Sequence, residues 1–186
     1  MSAIKEMILS FDKSGLFFFQ HLQRPWMDYF LAWPTYLGGT FQTLTLLTVG
    51  VLVFDKKKGL EKLSVALTGT LLTYWVSQWL KIFFHRPRPH ILWPEIHVIF
   101  EKPLNDAFPS GHTAIIFTAA FLLNYLYPGK TRWTYAVAVW VAITRVYVGA
   151  HYPTDLIGGV ITAFVCASLT WRVLKMPGTT ALQKEI

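Results

Sequence analysis

Long stretches with almost no charge limit the folds open to this chain more than any other feature. There are five of them, at residues 36–54, 63–80, 107–127, 133–150 and 156–173. Uncharged apolar runs of about 18 or more residues are typical of membrane-spanning helices. Charged residues make up only 15% of the 186 residues, so a soluble protein with this many apolar helices would have little wettable surface. The sequence therefore predicts an all-α, polytopic membrane helical bundle with about five transmembrane helices.

The first 35 residues have a different composition from the rest. Their apolar residues are interrupted by charged ones, among them Lys5, Glu6, Asp12, Lys13 and Arg24. This mixture predicts an amphipathic helix in the membrane interface, with Trp26, Tyr29 and Trp33 as aromatic anchors. A sixth span over residues 4–34 is the disfavoured alternative, because charges in the middle of a membrane helix are costly. We expect one integral-membrane domain with interfacial residues 1–35, a transmembrane core at 36–175 and a cytoplasmic tail at 176–186.

The net charge of +7 comes mainly from basic residues in loops and near the ends of the apolar stretches. One set is predicted to share a side of the membrane: Lys56, Lys57, Lys58, Lys62, Lys130, Arg132, Arg172 and Lys175. By the positive-inside rule that side is cytoplasmic, which places the loop 85–106 and the turn 151–155 together on the opposite face. A nucleic-acid partner is not expected, because no basic stripe is interleaved with aromatic residues.

Two groups of polar residues near that opposite face suggest phosphate binding. The first consists of cations around the end of the second stretch, namely Lys81, Arg86 and Arg88. The second is Pro109-Ser110-Gly111-His112, a pattern typical of a capped helix N-terminus, which is a natural cradle for phosphate. Each group also has a structural interpretation, since basic side chains anchor helix ends by snorkelling and serine caps ordinary membrane helices.

A third group contains Arg145, His151 and Asp155. An arginine inside an apolar run needs a reason to be there. A carboxylate bonded to one ring nitrogen of a histidine fixes the tautomer and leaves the other nitrogen free as nucleophile or base. A structural His–Asp pair at a helix start is the alternative. The three groups together offer the cations, nucleophile and acid that phosphoryl transfer needs, whereas a zinc site is disfavoured because the cations would repel the metal.

These residues resemble a known three-part signature. Lys81 is followed after six residues by Arg88-Pro89, then come Pro109-Ser110-Gly111-His112, and finally Arg145, five residues, His151, three residues and Asp155. The order and spacing are similar to those of the type 2 phosphatidic acid phosphatase superfamily. The third block often begins Ser-Arg in that family and is Thr144-Arg145 here, which keeps the hydroxyl group.

The resemblance implies a role for each matching residue. His151 would attack phosphorus and form a phosphohistidine, Asp155 would orient it, and His112 would protonate the leaving oxygen and later activate water. The phosphate oxygens would be held by Lys81, Arg88, Ser110, Gly111 and Arg145. Arg86 lies outside the signature, and we expect it to steer head groups from the periphery. No metal or other cofactor is implied.

The family resemblance leaves the lipid open. Small bacterial members resemble phosphatases of undecaprenyl diphosphate, phosphatidylglycerophosphate, lipid A 1-phosphate or phosphatidic acid, and would work in the cytoplasmic membrane with the site facing outwards. Trp93, His97 and Lys102 in the loop favour a bulky head group. The expected partners are a phosphorylated lipid and the bilayer, with no obligate protein partner. A transporter is disfavoured because the charges cluster at one face without an inverted repeat, and a non-catalytic lipid-binding relative would lack His151 or Asp155.

Overall fold

The computed structural model of the chain describes residues 2–100 and 104–174. The predicted cytoplasmic tail and Lys102 lie outside these residues. Over the described residues the regular structure is entirely helical, which confirms the predicted all-α class. The elements are α1 (Ser2–His21), α2 (Pro25–Leu31), a 3-10 helix (Trp33–Gly38), α3 (Thr40–Phe54), α4 (Gly59–Phe84), α5 (Pro89–Leu92), α6 (Gly111–Leu126), α7 (Trp133–Tyr147) and α8 (Pro153–Leu174).

Helices α3, α4, α6, α7 and α8 occupy the five predicted stretches, but only α7 starts at the predicted residue. The first stretch begins within the 3-10 helix, and the segments Pro25–Gly38 and Thr40–Phe54 meet at an angle of 77°. Helix α6 begins at Gly111 rather than at residue 107, because the Ser110 side chain caps it. Hydropathy located the apolar stretches, whereas turn and cap chemistry set where each helix starts.

Length and hydropathy single out α8, within the described part of the chain, as a helix that can cross a membrane unaided. The bent pair Pro25–Gly38 and Thr40–Phe54 would be a second crossing if the two segments count as one span. Helix α6 is apolar but has only 16 residues, about 24 Å of helix. These criteria support one or two spans, and five spans stays a prediction.

The centre of the bundle is formed by α4, α6 and α8, which pack directly against one another. Small residues bring them close: a Cβ atom on Gly69 of α4 would lie 2.5 Å from Leu122 of α6. A Cβ atom on Gly159 of α8 would lie 2.8 Å from the Ser110 carbonyl oxygen. Close contact at small residues is the usual way in which helices associate inside a bilayer.

The outer faces of the helices carry large apolar side chains that the protein leaves uncovered. Examples with more than half of their surface exposed are Phe41, Phe54, Trp75, Trp79, Ile82, Phe83, Ile161, Phe164, Val165 and Val173. An apolar surface of this extent is unusual in a soluble monomer, and lipid tails would cover it. The surface therefore agrees with the predicted membrane bundle.

Helix α1 is more than an interfacial helix, because one of its faces is docked on the bundle. Asp12 and Leu16 on this face are fully buried, and a Cβ atom on Gly15 would lie 2.6 Å from Pro153 at the start of α8. The opposite face exposes Ile4, Met7, Phe11 and Phe18, and the predicted anchors Trp26, Tyr29 and Trp33 are also exposed. The predicted amphipathic character is present, but its polar residues are not all directed to water.

The loops α3–α4 and α6–α7 meet at one end of the bundle, which we call the basic end. Asp55 accepts a hydrogen bond from Lys62 Nζ at 2.6 Å and another from the Tyr127 hydroxyl at 3.2 Å. The Lys62 ammonium also lies 4.0 Å from the centre of the Tyr127 ring. These contacts join loops that the charge pattern predicts on one side of the membrane. We call the opposite end, with the loop 85–106 and the turn 151–155, the site end.

Candidate active site

The end of α4 and the loop that follows it are tied together by Lys81. Its buried ammonium donates to the carbonyl oxygen of Asp106 at 2.6 Å. The loop then folds back on itself, since the Ala107 N–H donates to the Arg86 carbonyl oxygen at 2.8 Å. Lys81 therefore fixes the far end of the loop beside the N-terminus of α6, and its ammonium group is one of the predicted phosphate-binding groups at this end.

His151 and Asp155 are brought together by the turn between α7 and α8. Asp155 stands in the first turn of α8, and its Oδ2 accepts the Tyr152 backbone N–H at 3.0 Å. This is the reciprocal half of a capping box, in which a side chain satisfies a backbone donor that the helix leaves free. The same Oδ2 lies 3.2 Å from His151 Nδ1. Helix capping therefore positions the carboxylate that contacts the histidine ring.

The hydrogen bonds of His151 define its tautomer. Its Nε2 lies 2.9 Å from Nη1 of Arg88. Because a guanidinium group can only donate, Nε2 is the acceptor and carries no proton. The ring proton is therefore on Nδ1 and is donated to Asp155. Burial, reinforced by the charges of Arg88, Lys81 and Arg145, holds the pKa of His151 well below its usual value, so the ring is neutral at pH 7.

Arg88 is fixed by a set of oxygen acceptors. Its Nε and Nη2 donate to the backbone and side-chain oxygens of Asn105, at 2.8 and 2.5 Å. Its Nη1 donates to the Ala150 carbonyl oxygen at 2.7 Å. Burial lowers the pKa of Arg88 to about 10, which still leaves it charged at neutral pH. Asn105 was missed by the sequence analysis, because it belongs to none of the three motifs and only the folded loop brings it to Arg88.

The N-terminus of α6 has the predicted cap. The Ser110 side chain accepts the Thr113 N–H at 3.4 Å and the Thr113 hydroxyl at 3.0 Å, and the Ser110 N–H donates to the Asp155 carbonyl oxygen at 3.0 Å. A Cβ atom on Gly111 would have no atom within 4 Å. The space in front of this helix start is open, as a ligand bound to its free N–H groups would require.

A cavity of about 470 Å³ opens beside these groups. His112 and Arg145 line it, together with Thr35, Tyr36, Ile99, Phe100, Val148 and Ala150. The buried Arg145 guanidinium donates through Nη1 to the Thr35 hydroxyl, while its Nε has no hydrogen-bond partner among the described residues. The Nε–H of this buried cation is therefore free to donate to a ligand, and an anionic ligand would suit it best. Thr35, on the 3-10 helix, is a second site residue that the motifs did not include.

The structure thus brings the predicted residues to one end of the bundle in two layers. His151, Asp155 and Arg88 are directly hydrogen-bonded to one another in a buried layer. His112 and Arg145 line the cavity, whereas His151 and Arg88 do not. Within residues 2–100 and 104–174, no group of three or more His, Cys, Asp and Glu side chains is arranged to hold a metal ion, so the zinc interpretation finds no ligand set there.

The expected peripheral position of Arg86 was wrong. Arg86 Nη1 donates to Asp155 Oδ1 at 2.6 Å, and its Nη2 donates to Asp12 Oδ2 at 2.5 Å. The guanidinium group also lies 4.1 Å from the centre of the Tyr152 ring. Arg86 is drawn inwards because both carboxylates are fully buried and need a countercharge.

The family model of the PAP2 superfamily matches residues 62–178, more than half of the chain, and the chain belongs to this superfamily. The solved structure of LpxE from Aquifex aeolicus is similar over 87% of this chain and 94% of its own, with a TM-score of 0.73 and 27% identity. The resemblance drawn from the three motifs is confirmed, and the fold is that of the superfamily.

Relatives at the sequence level carry several names. Phosphatidylglycerophosphatase B of Bacillus subtilis is 31% identical over 74% of this chain and 70% of its own length. A lipid A 1-phosphatase of Rhizobium etli is 48% identical over 56 residues, 29% of this chain and 23% of the relative. A Bacillus licheniformis protein named bacitracin transport permease protein BcrC is 32% identical over 48% of this chain and 44% of its own length. The chain thus spans less than half the length of these last two relatives.

Proposed function

We propose that this protein is an integral-membrane lipid phosphate phosphatase that works through a phosphohistidine on His151. The observation that carries the proposal is the state of the His151 ring. Its Nδ1–H is held by Asp155 at 3.2 Å, and its unprotonated Nε2 faces the guanidinium group of Arg88 at 2.9 Å. A neutral, oriented imidazole beside fixed cations is the arrangement that nucleophilic attack on a phosphate group requires.

In the first step, the Nε2 lone pair forms a bond to phosphorus and the bond between phosphorus and the lipid oxygen breaks. The leaving oxygen takes a proton from the imidazolium form of His112, which lines the cavity and which the negative charge of the bound phosphate would favour. Arg145 and Arg88 hold the phosphate oxygens, and the charge that develops in the transition state strengthens these contacts. Lys81, Ser110 and the Gly111 N–H complete the proposed cradle.

In the second step, His112 accepts a proton from water as the water oxygen attacks phosphorus. The bond between phosphorus and Nε2 breaks, inorganic phosphate leaves, and His151 returns to its neutral tautomer. Asp155 keeps the ring proton on Nδ1 and stabilises the positive charge that the ring acquires while it is phosphorylated.

Arg88 has two tasks in this scheme. In the resting structure it donates to Nε2 and thereby occupies the direction from which phosphorus would approach. A phosphate group that enters from the cavity offers stronger, charged acceptors. Arg88 would therefore exchange His151 for a phosphate oxygen, and the nucleophile would become available only when substrate is bound.

The surroundings of the cavity support a bulky lipid as substrate. Tyr36 and Phe100 line it with ring centres 5.2 Å apart, and the exposed ring of Trp33 lies 5.8 Å from Phe100. Aromatic rings near a membrane surface bind apolar chains and sugar faces alike. The names of the relatives support phosphatidylglycerophosphate and lipid A 1-phosphate as first candidates, with undecaprenyl diphosphate and phosphatidic acid as the others.

We further infer that the site faces the outer side of the bacterial cytoplasmic membrane. The basic loops gather at the end of the bundle that is opposite the site, which the positive-inside rule assigns to the cytoplasm. The substrate and the bilayer are then the expected partners. A transport path is not favoured, because the buried cations Lys81 and Arg88 lie at the site end and are hydrogen-bonded to backbone oxygens there rather than lining a path through the bundle.

The experiment is phosphate release by the detergent-purified protein in EDTA, with phosphatidylglycerophosphate, lipid A 1-phosphate, undecaprenyl diphosphate and phosphatidic acid as substrates. His151→Ala should abolish release. His21→Ala is the matched control, because His21 is exposed at the end of α1 and is not among the residues that line the cavity, so release should be unchanged. The trapped phosphoenzyme should be labile in acid and stable in alkali, as a phosphorus–nitrogen bond is.

Three outcomes would contradict the proposal. They are no release from any of the four lipids, release only after a divalent metal is added, and appreciable release by His151→Ala. The lipid that gives the highest kcat/KM would identify the substrate class.

A further inference from the structure

Helix α1 contributes a carboxylate to the site end that lies outside the three motifs. Asp12 is fully buried. Its Oδ1 accepts the Thr154 backbone N–H at 2.9 Å, and its Oδ2 accepts the Thr154 hydroxyl at 2.7 Å. Thr154 lies in the first turn of α8, whose free N–H groups need acceptors and whose positive dipole end favours an anion. Asp12 therefore fixes the start of the helix that carries Asp155.

Arg86 connects this carboxylate to the catalytic pair. Its two terminal nitrogens contact Asp12 Oδ2 at 2.5 Å and Asp155 Oδ1 at 2.6 Å, and Nη1 also donates to the Thr154 hydroxyl at 2.7 Å. One cation thus serves two buried carboxylates. Removal of one member of such a network leaves an uncompensated charge, which is far more costly than the loss of a surface ion pair.

The network fixes Asp155 from the side opposite His151. Its Oδ2 accepts from His151 and from the Tyr152 N–H, while its Oδ1 accepts from Arg86. The plane of the carboxylate, and hence the direction in which it holds the imidazole, depends on both sides. Neither Asp12 nor Arg86 lines the cavity of His112 and Arg145, so their contribution is to geometry and charge rather than to substrate contact.

We propose that Asp12 and Arg86 are positioning residues for His151, acting through Asp155, and that α1 is therefore part of the active site. This proposal rests on the proposed function, in which His151 is the nucleophile. It also explains why a charged residue lies on the buried face of α1, where an interfacial helix would place an apolar side chain.

The test compares Asp12→Asn and Arg86→Gln with Glu6→Gln, the matched control. Glu6 is an exposed carboxylate on the same helix and has no part in the network. We expect kcat to fall about tenfold to hundredfold in the first two variants, because a small misplacement of the nucleophile has an effect of this size. KM should stay within about threefold, since no phosphate contact is lost. Glu6→Gln should match the wild type.

The pH profile separates positioning from a merely structural role. The charged and titratable groups that face His151 are Asp155 on α8, Arg88 in the loop, Lys81 on α4, Arg145 on α7 and His112 on α6. Loss of the Arg86 cation favours the protonated ring, so the acid limb of kcat/KM should move to higher pH in Arg86→Gln. Loss of the Asp12 anion disfavours the protonated ring. The acid limb of kcat/KM should therefore stay in place or move to lower pH in Asp12→Asn.

A double variant and the ring 15N spectra of His151 test the positioning role even where a single variant folds poorly. If Arg86→Gln folds poorly because two carboxylates lose their countercharge, the double variant with Asp12→Asn removes one of them, and it should be no slower than Arg86→Gln alone. The ring 15N signals of His151 in labelled protein need no turnover, and they should shift in both single variants and not in Glu6→Gln.

The outcomes distinguish this proposal from the proposed function. Histidine-dependent turnover in the wild type, with unchanged kcat, pH profile and His151 signals in both variants, would overturn the positioning role alone. No histidine-dependent turnover in the wild type would overturn the proposed function, and the positioning role with it. Shifted ring signals would then show only that the network reaches the ring.

Discussion

The two ends of the bundle each contain a cluster of ionic groups, but these clusters are organised differently. At the basic end, Asp55 is matched by Lys62 at 2.6 Å, and both side chains are partly exposed. At the site end, Arg88 and Arg145 are buried, and neither forms an ion pair with a carboxylate within the described residues. Their hydrogen bonds go to neutral oxygen atoms and to His151.

The difference separates a cluster whose charges are satisfied within the protein from one that suits an anionic ligand. A matched, partly exposed pair costs little to form and contributes little. Buried cations that lack a carboxylate are costly to retain, and an anionic ligand would offset that cost. The site end therefore has a free-energy reason to bind phosphate, and the basic end has none.

The largest effect that would test this comparison is expected from Arg145→Ala. Arg145 has a buried Nε without a partner at the cavity, so its loss removes a charged contact that serves both the bound phosphate and the transition state. We expect kcat/KM to fall by about 10²–10³-fold. Steady-state kinetics with the preferred lipid measure it.

The matched control for Arg145→Ala is Lys62→Ala, which removes a cation from the basic end and should leave kcat/KM within about twofold of the wild-type value. Arg145→Lys should recover part of the loss, since it restores the charge without the planar donor group. Equal effects of Arg145→Ala and Lys62→Ala would remove the functional distinction between the two ends.

A smaller effect is expected from Asn105→Ala. The Asn105 side chain holds Arg88 Nη2 at 2.5 Å, while its backbone oxygen holds Nε and is retained in the variant. Partial loss of orientation should lower kcat/KM about tenfold. Asn124→Ala is the control at the other end of the bundle, because Asn124 bonds to Thr131 and Thr134 next to the basic loops. A fall of the same size in both variants would mean that Asn105 acts only through stability.

The helices and the motif residues could be predicted from the sequence because both depend on local patterns. Apolar runs locate α4 and α8, and the spacing Arg145–His151–Asp155 fits one turn between two helices. Helix starts were predicted less well from hydropathy, since α4 begins at Gly59 rather than at residue 63 and α8 at Pro153 rather than at residue 156. The bend before α3 lies at Gly38 and Gly39, and a hydropathy profile does not detect such a break in the helix.

Asp12, Thr35 and Asn105 could not be predicted, because their partners are remote in the sequence or belong to an irregular loop. Asp12 is 74 positions from Arg86, and Thr35 is 110 positions from Arg145. In the sequence, Asp12 is one more charge on an amphipathic helix, and its burial depends on how α1 docks. Arg86 was expected at the periphery because it lies outside the signature, and only the fold brings it to the two carboxylates of Asp12 and Asp155.

A still smaller effect is expected from Asp55→Asn at the basic end. The hydrogen bond from Lys62 lowers the pKa of Asp55 to about 2. A lowered pKa stabilises the fold above the unfolded value of about 3.9 and loses this effect as the pH falls towards 2. At pH 7 the variant should melt at a slightly lower temperature than the wild type, with turnover unchanged. Thermal unfolding followed by tryptophan fluorescence should show this gap closing between pH 4 and pH 2, and a gap that widens there would contradict the assignment.

The last prediction is that the charge of His151 does not change as the pH falls from 8 to 6. An ordinary histidine with a pKa of about 6.5 would gain a proton over this range. Burial and the neighbouring cations keep the pKa of His151 well below that value, so the ring should stay neutral, with its proton on Nδ1. Ring 15N spectra of labelled protein without substrate can test this, with His151→Ala to assign the signals. A signal of the imidazolium form at pH 6 would mean that the site end tolerates one more positive charge. The contrast between the Asp55–Lys62 pair and the buried arginines that lack a carboxylate, Arg88 and Arg145, would then fail at the proposed nucleophile.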